Sequence, residues 1–283
     1  MTPPTFESDA ARLVRRHDRD RFLTALFAPP ERRGELLALY AFNHEVAKTR
    51  EVVSEATLGE IRLQWWRDGI DAIYAGNAPR RHEVLEPLGA AIRGRGLTHA
   101  HFARLIEARR QDLADTPPAA LAALEDYAEA TSAGLVWLAL EILGERGERA
   151  MAAGRATGIA QALIGLLRAV PLHARAKRLY LPRDLTVAAG LRVERDLFEL
   201  RSSAALRAVV REVATAAARH LAAAEALNAA APRAALPALL PAVLAAADLK
   251  RLARAGYDPF APRVVRADPW RPWRLTLASF KRG

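Results

Sequence analysis

Apolar residues recur at helical spacing along almost the whole chain. The stretch 36–55 is a clear case, because Leu36, Leu39, Tyr40 and Val46 follow one another at intervals of three, one and six residues, as on one side of a helix. No segment alternates between apolar and polar residues with the period of two that marks a half-buried strand. The pattern therefore predicts an all-α fold.

The helix boundaries follow from capping residues and prolines. Ser8 or Asp9 is a suitable N-cap for the first helix, and Pro29-Pro30 ends it. Pro171 should stop a later helix just after Arg168, because an internal proline removes a backbone donor. We predict helices over residues 8–28, 36–55, 57–76, 81–93, 98–114, 118–143, 148–168, 202–230 and 235–255.

The chain shows no Gly/Ser linker and no break in composition. Its prolines lie at predicted helix junctions rather than in a spacer. We therefore expect one domain over residues 1–283, of which 257–283 form a basic, tryptophan-containing C-terminal tail.

Two predicted helices carry unusually small residues. Ser132 and Gly134 lie in the helix 118–143, and Gly154 and Gly158 lie on one side of the helix 148–168. Small side chains allow another helix or a ligand to approach closely.

Polar residues on the helix 36–55 suggest that it borders a pocket. The helix is too hydrophobic for a surface position, yet its other side is charged. Asp112 follows an apolar stripe in the helix 98–114 and could also point inward. The polar residues of the helix 36–55 are Asn43, His44, Glu45, Lys48, Arg50 and Glu51.

The net charge of +10 raises the question of an anionic partner. No helix-turn-helix, zinc or aromatic-platform motif accompanies the charge, so we expect no nucleic-acid partner. There are no cysteines, which excludes disulfides and thiolate metal sites. Carboxylate pairs such as Asp68/Asp71 stand beside basic residues, so a solvated charged face is favoured over a Mg²⁺ site.

The C-terminal tail combines cations with aromatic residues. Residues 250–283 hold nine Lys or Arg against two Asp, with Trp270, Trp273, Leu275, Leu277 and Phe280 among them. Two interpretations stay open: peripheral contact with an anionic membrane or partner protein, or a segment that wraps over the helical core.

Three segments, taken together and in order, resemble the squalene/phytoene synthase superfamily. They are DRFLTALFAPPERRGELLALYAFNHEVA, DYAEATSAGLVWLAL, and GIAQALIGLLRAV followed by RLYLP. The resemblance implies an isoprenoid-synthase-like helical bundle around a central cavity. It also implies two aspartate-rich motifs, whose Mg²⁺ ions bind the diphosphates of prenyl substrates.

The chain departs from that family pattern at the aspartates. The positions of the first motif are occupied by Ala47, Lys48 and Glu51, and those of the second by Ala169 and His173. Since only Glu51 could bind a metal, the resemblance implies no metal site, no catalytic residue and no cofactor. The residues expected to line a cavity or a diphosphate-like ligand site are Arg33, Tyr40, Asn43, Lys48, Glu51, Gln161, Arg168, His173, Arg178 and Tyr180.

The resemblance is greatest to one branch of this superfamily. IRLQWWRDGIDAIYAG, the Gly-x-Ala-Gln of 158–161, and LLRAVPLH with a basic loop and LYLP are similar to the branch that contains the mitochondrial complex I assembly factor and its bacterial relatives. That branch implies a non-enzymatic role and a complex I subunit or assembly partner. The N-terminus resembles neither a secretory signal nor a transit peptide, so we expect a cytoplasmic, bacterial protein, with membrane association on the cytoplasmic face left open.

Three functional hypotheses follow. The first is a non-catalytic factor in complex I assembly or prenyl-lipid binding. The second is an active head-to-head prenyltransferase with a rearranged diphosphate site, in which Lys48, Arg168 and Arg178 bind the diphosphates and Mg²⁺ takes part. The third, compatible with the first, is a retained apolar cavity that holds a prenyl tail, such as that of a quinone, without reacting it.

Overall fold

The computed structural model describes residues 8–114, 116–228 and 231–280. Within these ranges the chain is helical and contains no β-strand, so the predicted all-α class is confirmed. The α-helices are α1 (Asp9–His17), α2 (Arg19–Ala25), α3 (Pro30–Ala47), α4 (Thr49–Val52), α5 (Ala56–Tyr74), α6 (Leu85–Arg95), α7 (His99–Ala108), α8 (Leu121–Ala128), α9 (Gly134–Ile142), α10 (Glu148–Arg175), α11 (Arg183–Ala188), α12 (Ala204–Asn228), α13 (Leu236–Leu239), α14 (Pro241–Arg254), α15 (Pro262–Val265) and α16 (Arg271–Phe280).

Short 3₁₀ and π segments join several of these helices. The 3₁₀ segments are Arg109–Leu113 and Arg233–Ala235, and the π segments are Glu129–Ala133 and Val193–Phe198. The π segment Glu129–Ala133 continues α8 into α9, so the predicted helix 118–143 exists but changes its winding in the middle. Such insertions occur often at functional sites, because they redirect the side chains around them.

The N-terminal region is more divided than its pattern predicted. Ser8 caps α1 by accepting a hydrogen bond from the backbone N–H of Ala11, as expected. The single helix predicted for 8–28 is wrong, because Asp18 interrupts it and then caps α2 through its side chain. The next helix begins at Pro30 rather than at residue 36, since proline at the first helical position sacrifices no intrahelical donor.

The second half of the predicted helix 36–55 is also different. Helix α3 ends at Ala47, and Lys48 leads into the short α4, so the residues after Lys48 do not continue the face on which Asn43 lies. Helix α3 is buried on nearly all sides, with Leu36, Leu37 and Phe42 wholly shielded from solvent. It is therefore a central element of the bundle.

Helix α10 is the longest helix and packs against α12, α14, α8 and the π segment. The prediction that Pro171 stops it is wrong, since the helix continues to Arg175. Val170, Pro171 and Ala174 are buried, and their packing offsets the roughly 3 kcal/mol that an internal proline costs. Among the described residues, α10 is also the one helix long and apolar enough to cross a membrane, but 61% of its most apolar window is buried in the bundle, as in a core helix.

The small residues allow α10 to lie directly on the π segment. A Cβ atom added to Gly158 would come within 2.4 Å of the Ala133 Cα, and one added to Gly154 within 2.8 Å of a Leu140 methyl group. Only glycine fits at this distance from a backbone, so the predicted close approach is confirmed. It brings Thr131 and Ser132 next to the polar residues of α10.

The C-terminal tail is ordered into helices as far as residue 280. Helix α16 packs on α14 and α2, with Leu275 fully buried. Its opposite face is exposed at Trp273, Leu277 and Phe280. The interpretation as a segment that wraps over the core is thus correct for one face of α16, while residues 281–283 and 1–7 lie outside the described residues.

Candidate functional site

A cavity of about 350 Å³ lies between α1–α2, α3, the π segment, α10 and α14. Its wall is strongly polar, which is unusual for the inside of a helical bundle. The polar and charged lining residues are Asp18, Asp20, Arg21, Asn43, Arg109, Tyr127, Thr131, Ser132, Gln161, Arg168, His173 and Asp248.

The cavity brings together four of the ten residues predicted for a ligand site. Asn43 comes from α3, and Gln161, Arg168 and His173 come from α10. The seven-residue spacing places Gln161 and Arg168 on one side of α10, and His173, five residues further on, also lines the cavity. Ala169, one of the positions at which the family pattern has an aspartate, lines the same cavity.

The other six predicted residues are also described by the structure, but they do not line this cavity. Arg33 donates from Nε to the carbonyl oxygen of Ala28 at 2.8 Å. Tyr40 is buried beneath the guanidinium of Arg21, 5.9 Å from its ring centre, and burial raises the pKa of its hydroxyl. Glu51 is exposed to solvent on α4.

Lys48 forms an ion pair with the buried Glu45, whose second oxygen pairs with Arg62 at 2.7 Å. Arg178 donates from Nη2 to the carbonyl oxygen of Arg50 at 3.1 Å. It borders, together with Tyr180, a separate apolar pocket of only about 10 Å³. Lys48, Arg168 and Arg178 therefore do not meet in one cavity.

One side of the cavity is an ionic cluster of four residues that joins distant parts of the chain. Arg271 of α16 donates to Asp20 and to Asp248, both at 2.6 Å, and only 7% of Arg271 is exposed. Arg168 lies 3.1 Å from the same Asp248 oxygen and 3.9 Å from Asp20. Burial raises the pKa of Asp20, although Arg271 and Arg168 act against this shift. The guanidinium groups of Arg271 and Arg168 offset the repulsion between the carboxylates of Asp20 and Asp248 inside the protein.

A second cluster, on the π-segment side, is centred on Asp112. The Tyr127 hydroxyl donates to the Asp112 carboxylate at 2.8 Å. Arg109 donates to Asp112 at 3.1 Å and to the Tyr127 hydroxyl at 2.6 Å. Asp112 is 7% exposed, so the expectation that it points inward is confirmed. Burial raises the pKa of Tyr127, which keeps the hydroxyl protonated as a donor.

His173 connects the cavity to this second cluster. Its ring makes a tilted contact with the ring of Tyr180, with the ring centres 4.4 Å apart and the planes inclined by 40°. Burial lowers the pKa of His173 to about 4, and Arg178 adds to the lowering while Asp112 opposes it. The imidazole is therefore neutral at pH 7 and can act as either donor or acceptor.

Several polar atoms at the cavity have no partner in the protein. Asn43 Oδ1, Ser132 Oγ and Gln161 Oε1 are buried and make no hydrogen bond within the described chain. A buried polar atom without a partner is costly, so each requires a water molecule or a bound ligand. The cavity is thus built to hold polar groups.

The residues present do not fit the Mg²⁺ ions that the family resemblance implies. Asp20 and Asp248 are already bridged by Arg271, and Asp18 both caps α2 and pairs with Arg21 at 2.6 Å. In the described ranges no group of three or more His, Asp or Glu residues is arranged to hold a metal ion. A hard cation requires carboxylate oxygens that are not neutralised by arginine.

Sequence reasoning missed most of the charged lining. Asp20, Arg109, Tyr127, Asp248 and Arg271 were not singled out as site residues. The run Asp18-Arg19-Asp20-Arg21 was the one available signal. Four successive charged residues next to the apolar stretch FLTALFA indicate that some of these charges lie close to the packed core.

Comparison with known proteins shows which family the chain belongs to. The squalene/phytoene synthase family profile matches residues 14–274. Over 270 residues the chain is 34% identical to bovine (Bos taurus) NADH dehydrogenase (ubiquinone) complex I assembly factor 6, covering 95% of this chain and 80% of the relative.

Solved structures show the same fold. A squalene synthase from Alicyclobacillus acidocaldarius superposes with a TM-score of 0.78 at 23% identity, covering 90% of this chain and 95% of the other. A ligand-bound dehydrosqualene synthase superposes with a TM-score of 0.83 at 17% identity, covering 96% of this chain and 94% of the other. The bundle is therefore the helical fold of these synthases, and the chain belongs to the squalene/phytoene synthase family.

Proposed function

We propose that this protein is a non-catalytic member of its family that acts in the assembly of respiratory complex I. The observation that carries the proposal is the bridging of Asp20 and Asp248 by Arg271 and Arg168, because carboxylates of the cavity that are already paired with arginine are not free to bind the cations that assist diphosphate chemistry. The similarity to complex I assembly factor 6 supplies the biological process. The partner is then a complex I subunit or another assembly factor.

We further propose that the cavity binds, without converting, the anionic head of a prenyl lipid or prenyl diphosphate. Ser132 can donate to such a head from its hydroxyl and Asn43 and Gln161 from the NH₂ groups of their side-chain amides, and Arg168 lies on the same cavity wall. The charged lining suits a polar head rather than a complete prenyl tail, so the hypothesis of a purely apolar quinone pocket receives little support.

The alternative, an active prenyltransferase with a rearranged diphosphate site, gains no support from the side chains proposed for it. Lys48 is engaged by Glu45, and Arg178 by the backbone of Arg50, on walls other than that of Arg168. Metal-free transfer would need these cations to surround one diphosphate.

An assay for turnover tests the absence of catalysis. The pure protein is incubated with farnesyl or geranylgeranyl diphosphate, MgCl₂ and NADPH, next to an authentic squalene synthase as positive control. We expect no squalene, phytoene or presqualene diphosphate. Formation of any of these at a rate that Arg168→Met abolishes would overturn the proposal in favour of the prenyltransferase.

Binding and cellular role are tested separately. Calorimetry with a non-hydrolysable farnesyl thiodiphosphate should show binding that EDTA leaves unchanged and that Gln161→Leu weakens about tenfold. Deleting the gene should reduce assembled complex I on native gels, and the wild-type gene should restore it. Full complex I levels after deletion would contradict the assembly role, whatever the cavity binds. The predicted cytoplasmic location is checked by fractionating the same cells.

A further inference from the structure

Helix α16 has one buried face and one strongly exposed apolar face. Trp270, directly before the helix, and Trp273, Leu277 and Phe280 within it are 62%, 64%, 61% and 76% exposed. At 3.6 residues per turn the three helical positions fall within an arc of about 60°. Apolar side chains elsewhere on the described surface, such as Val187 and Ile61, are also exposed but come from separate helices. Scattered apolar residues are ordinary on a soluble protein, whereas a continuous stripe containing two tryptophans marks an interaction surface.

The charge around this stripe is one-sided. From residue 262 to 283 the sequence contains six Lys or Arg and a single acidic residue, Asp268. Asp268 is buried and accepts from Arg274 at 3.2 Å, so it adds little negative charge to the surface. Tryptophan and phenylalanine beside arginines are typical of segments that lie in the interface of an anionic bilayer.

A groove of about 500 Å³ runs beside the stripe, between α12, α14 and α16. Leu277 belongs to both the stripe and the groove wall. Lys250 and Arg274 stand on the same wall as Glu225 and Asn228, and the apolar lining is Leu221, Ala242, Val243, Ala246, Ala247 and Ala278. Two cations against one carboxylate leave this largely apolar channel with a net positive charge, which matches an acyl chain and its phosphate head.

We propose that the exposed face of α16 and this groove dock on the surface of a bilayer that contains anionic phospholipid. The tryptophans enter the headgroup region, and Lys250 and Arg274 bind lipid phosphate. The side chains project from the surface, which suits insertion into a deformable bilayer better than contact with a flat protein face. This proposal is independent of the cavity and of complex I assembly.

Arg271 fixes the orientation of this surface. It lies between Trp270 and Trp273 in sequence and points the other way, into the ionic cluster with Asp20 and Asp248. Because α16 is held by these two ion pairs and by Leu275, the stripe is presented outward without any rearrangement. The surface is therefore preformed, which lowers the entropic cost of docking.

Vesicle co-sedimentation of the full chain tests the proposal. Vesicles of phosphatidylcholine alone are compared with vesicles that contain phosphatidylglycerol. We expect binding to the second kind only, weakened at least tenfold by Leu277→Glu and unchanged by Ile61→Glu, an equally exposed residue on α5.

The charge requirement has its own matched pair. Lys250→Gln with Arg274→Gln should weaken binding by about fivefold per cation removed, because each cation near an anionic surface contributes on the order of 1 kcal/mol. Arg149→Gln with Arg207→Gln removes the same charge from α10 and α12 and should have much less effect. Equal losses in both double variants would mean that net charge alone drives binding, and would overturn the assigned surface.

Tryptophan quenching reports insertion directly. Lipids brominated on their acyl chains should quench the fluorescence of the wild type, and Trp270→Phe with Trp273→Phe should remove most of that quenching. Wild-type protein that fails to sediment with anionic vesicles contradicts the proposal. A second contradicting outcome is a wild-type protein that does not bind vesicles, is a dimer in analytical ultracentrifugation, and becomes a monomer on Leu277→Glu. The stripe would then be an interface between two copies of the chain.

Discussion

Two polar clusters border the same cavity, and they differ in how far apart their members lie along the chain. Arg109, Asp112 and Tyr127 belong to neighbouring segments and are separated by at most 18 residues. Asp20 and Arg271 are separated by 251 residues and join the first helices to the last. The first cluster fixes the shape of one wall, while the second holds the C-terminal helix on the bundle. Their different burial predicts different responses to substitution.

The largest effect is expected from Asp112→Ala. The substitution leaves the guanidinium of Arg109 without its carboxylate partner and the hydroxyl of Tyr127 without its acceptor. Breaking a buried ion pair in this way costs about 3–5 kcal/mol of unfolding free energy. Urea denaturation followed by circular dichroism measures it. Glu107→Ala, which removes a carboxylate that is 53% exposed, should cost less than about 1 kcal/mol, and equal costs would contradict the assigned burial.

Arg271→Met should cost somewhat less, about 2–3 kcal/mol. Asp248 keeps Arg168 as a partner, and Asp20 is 28% exposed, so water and Arg168 compensate part of the loss. Because α16 would lose its polar anchor, trypsin should cleave after Arg274 much faster than in the wild type. Leu277→Ala changes the exposed face of the same helix and should leave the cleavage rate unchanged. An unaltered rate in Arg271→Met would show that Leu275 alone holds α16.

The pH dependence of stability should show the effect of His173. Its pKa is lowered by burial to about 4 from 6.5, so its contribution is fully present above pH 6.5 and is lost as the pH falls toward 4. We expect a loss of about 2 kcal/mol over this window, below the full value for the shift because solvent reaches part of the ring. His173→Gln should remove this pH-dependent loss. The measurement is the difference between the urea midpoints at pH 7 and pH 4.5, which should be smaller in the variant than in the wild type.

The matched histidine-to-glutamine variant at the surface is His99→Gln, because the side chain of His99 is 44% exposed. Asp20 works in the opposite direction, since burial raises its pKa and its contribution is lost as the pH rises through that pKa. If the stability of the Asp20→Asn variant does not fall between pH 6.5 and 4.5, the assigned burial of His173 is wrong.

The smallest effect is expected from Lys48→Met, less than about 1 kcal/mol. Glu45 keeps its contact with Arg62, so the buried carboxylate is not left unpaired. The double variant with Arg62→Met should cost clearly more than the sum of the two single changes, because Glu45 then loses both cations. Thermal denaturation of the four proteins completes the cycle. Additive losses would show that Glu45 is solvated rather than held by the pair.

Much of the fold follows from local patterns. Helical periodicity predicted the class, Ser8 predicted the first cap, and Gly158 with its small neighbours predicted a close helix contact. The errors at Asp18 and Pro171 have a common reason. Tertiary packing and capping decided whether the helix continued, and intrinsic preference did not.

The candidate site was much harder to predict. Asn43, Gln161, Arg168 and His173 were found through the family resemblance, and the cavity contains them. Lys48 and Glu51 were expected beside Asn43, but α3 ends at Ala47 and the chain turns away. Whether any of these residues contacts a ligand stays a prediction.

The sequence by itself determined the all-α class and the family, because helical periodicity and motif order are local properties of the chain. Only the tertiary structure decided that Arg271 lies between Asp20 and Asp248. Among 42 Lys and Arg and 32 Asp and Glu, no local signal selects partners that are hundreds of residues apart. Their pairing is fixed by the packing of α16 on α2 and α14, which brings the guanidinium of Arg271 against both carboxylates.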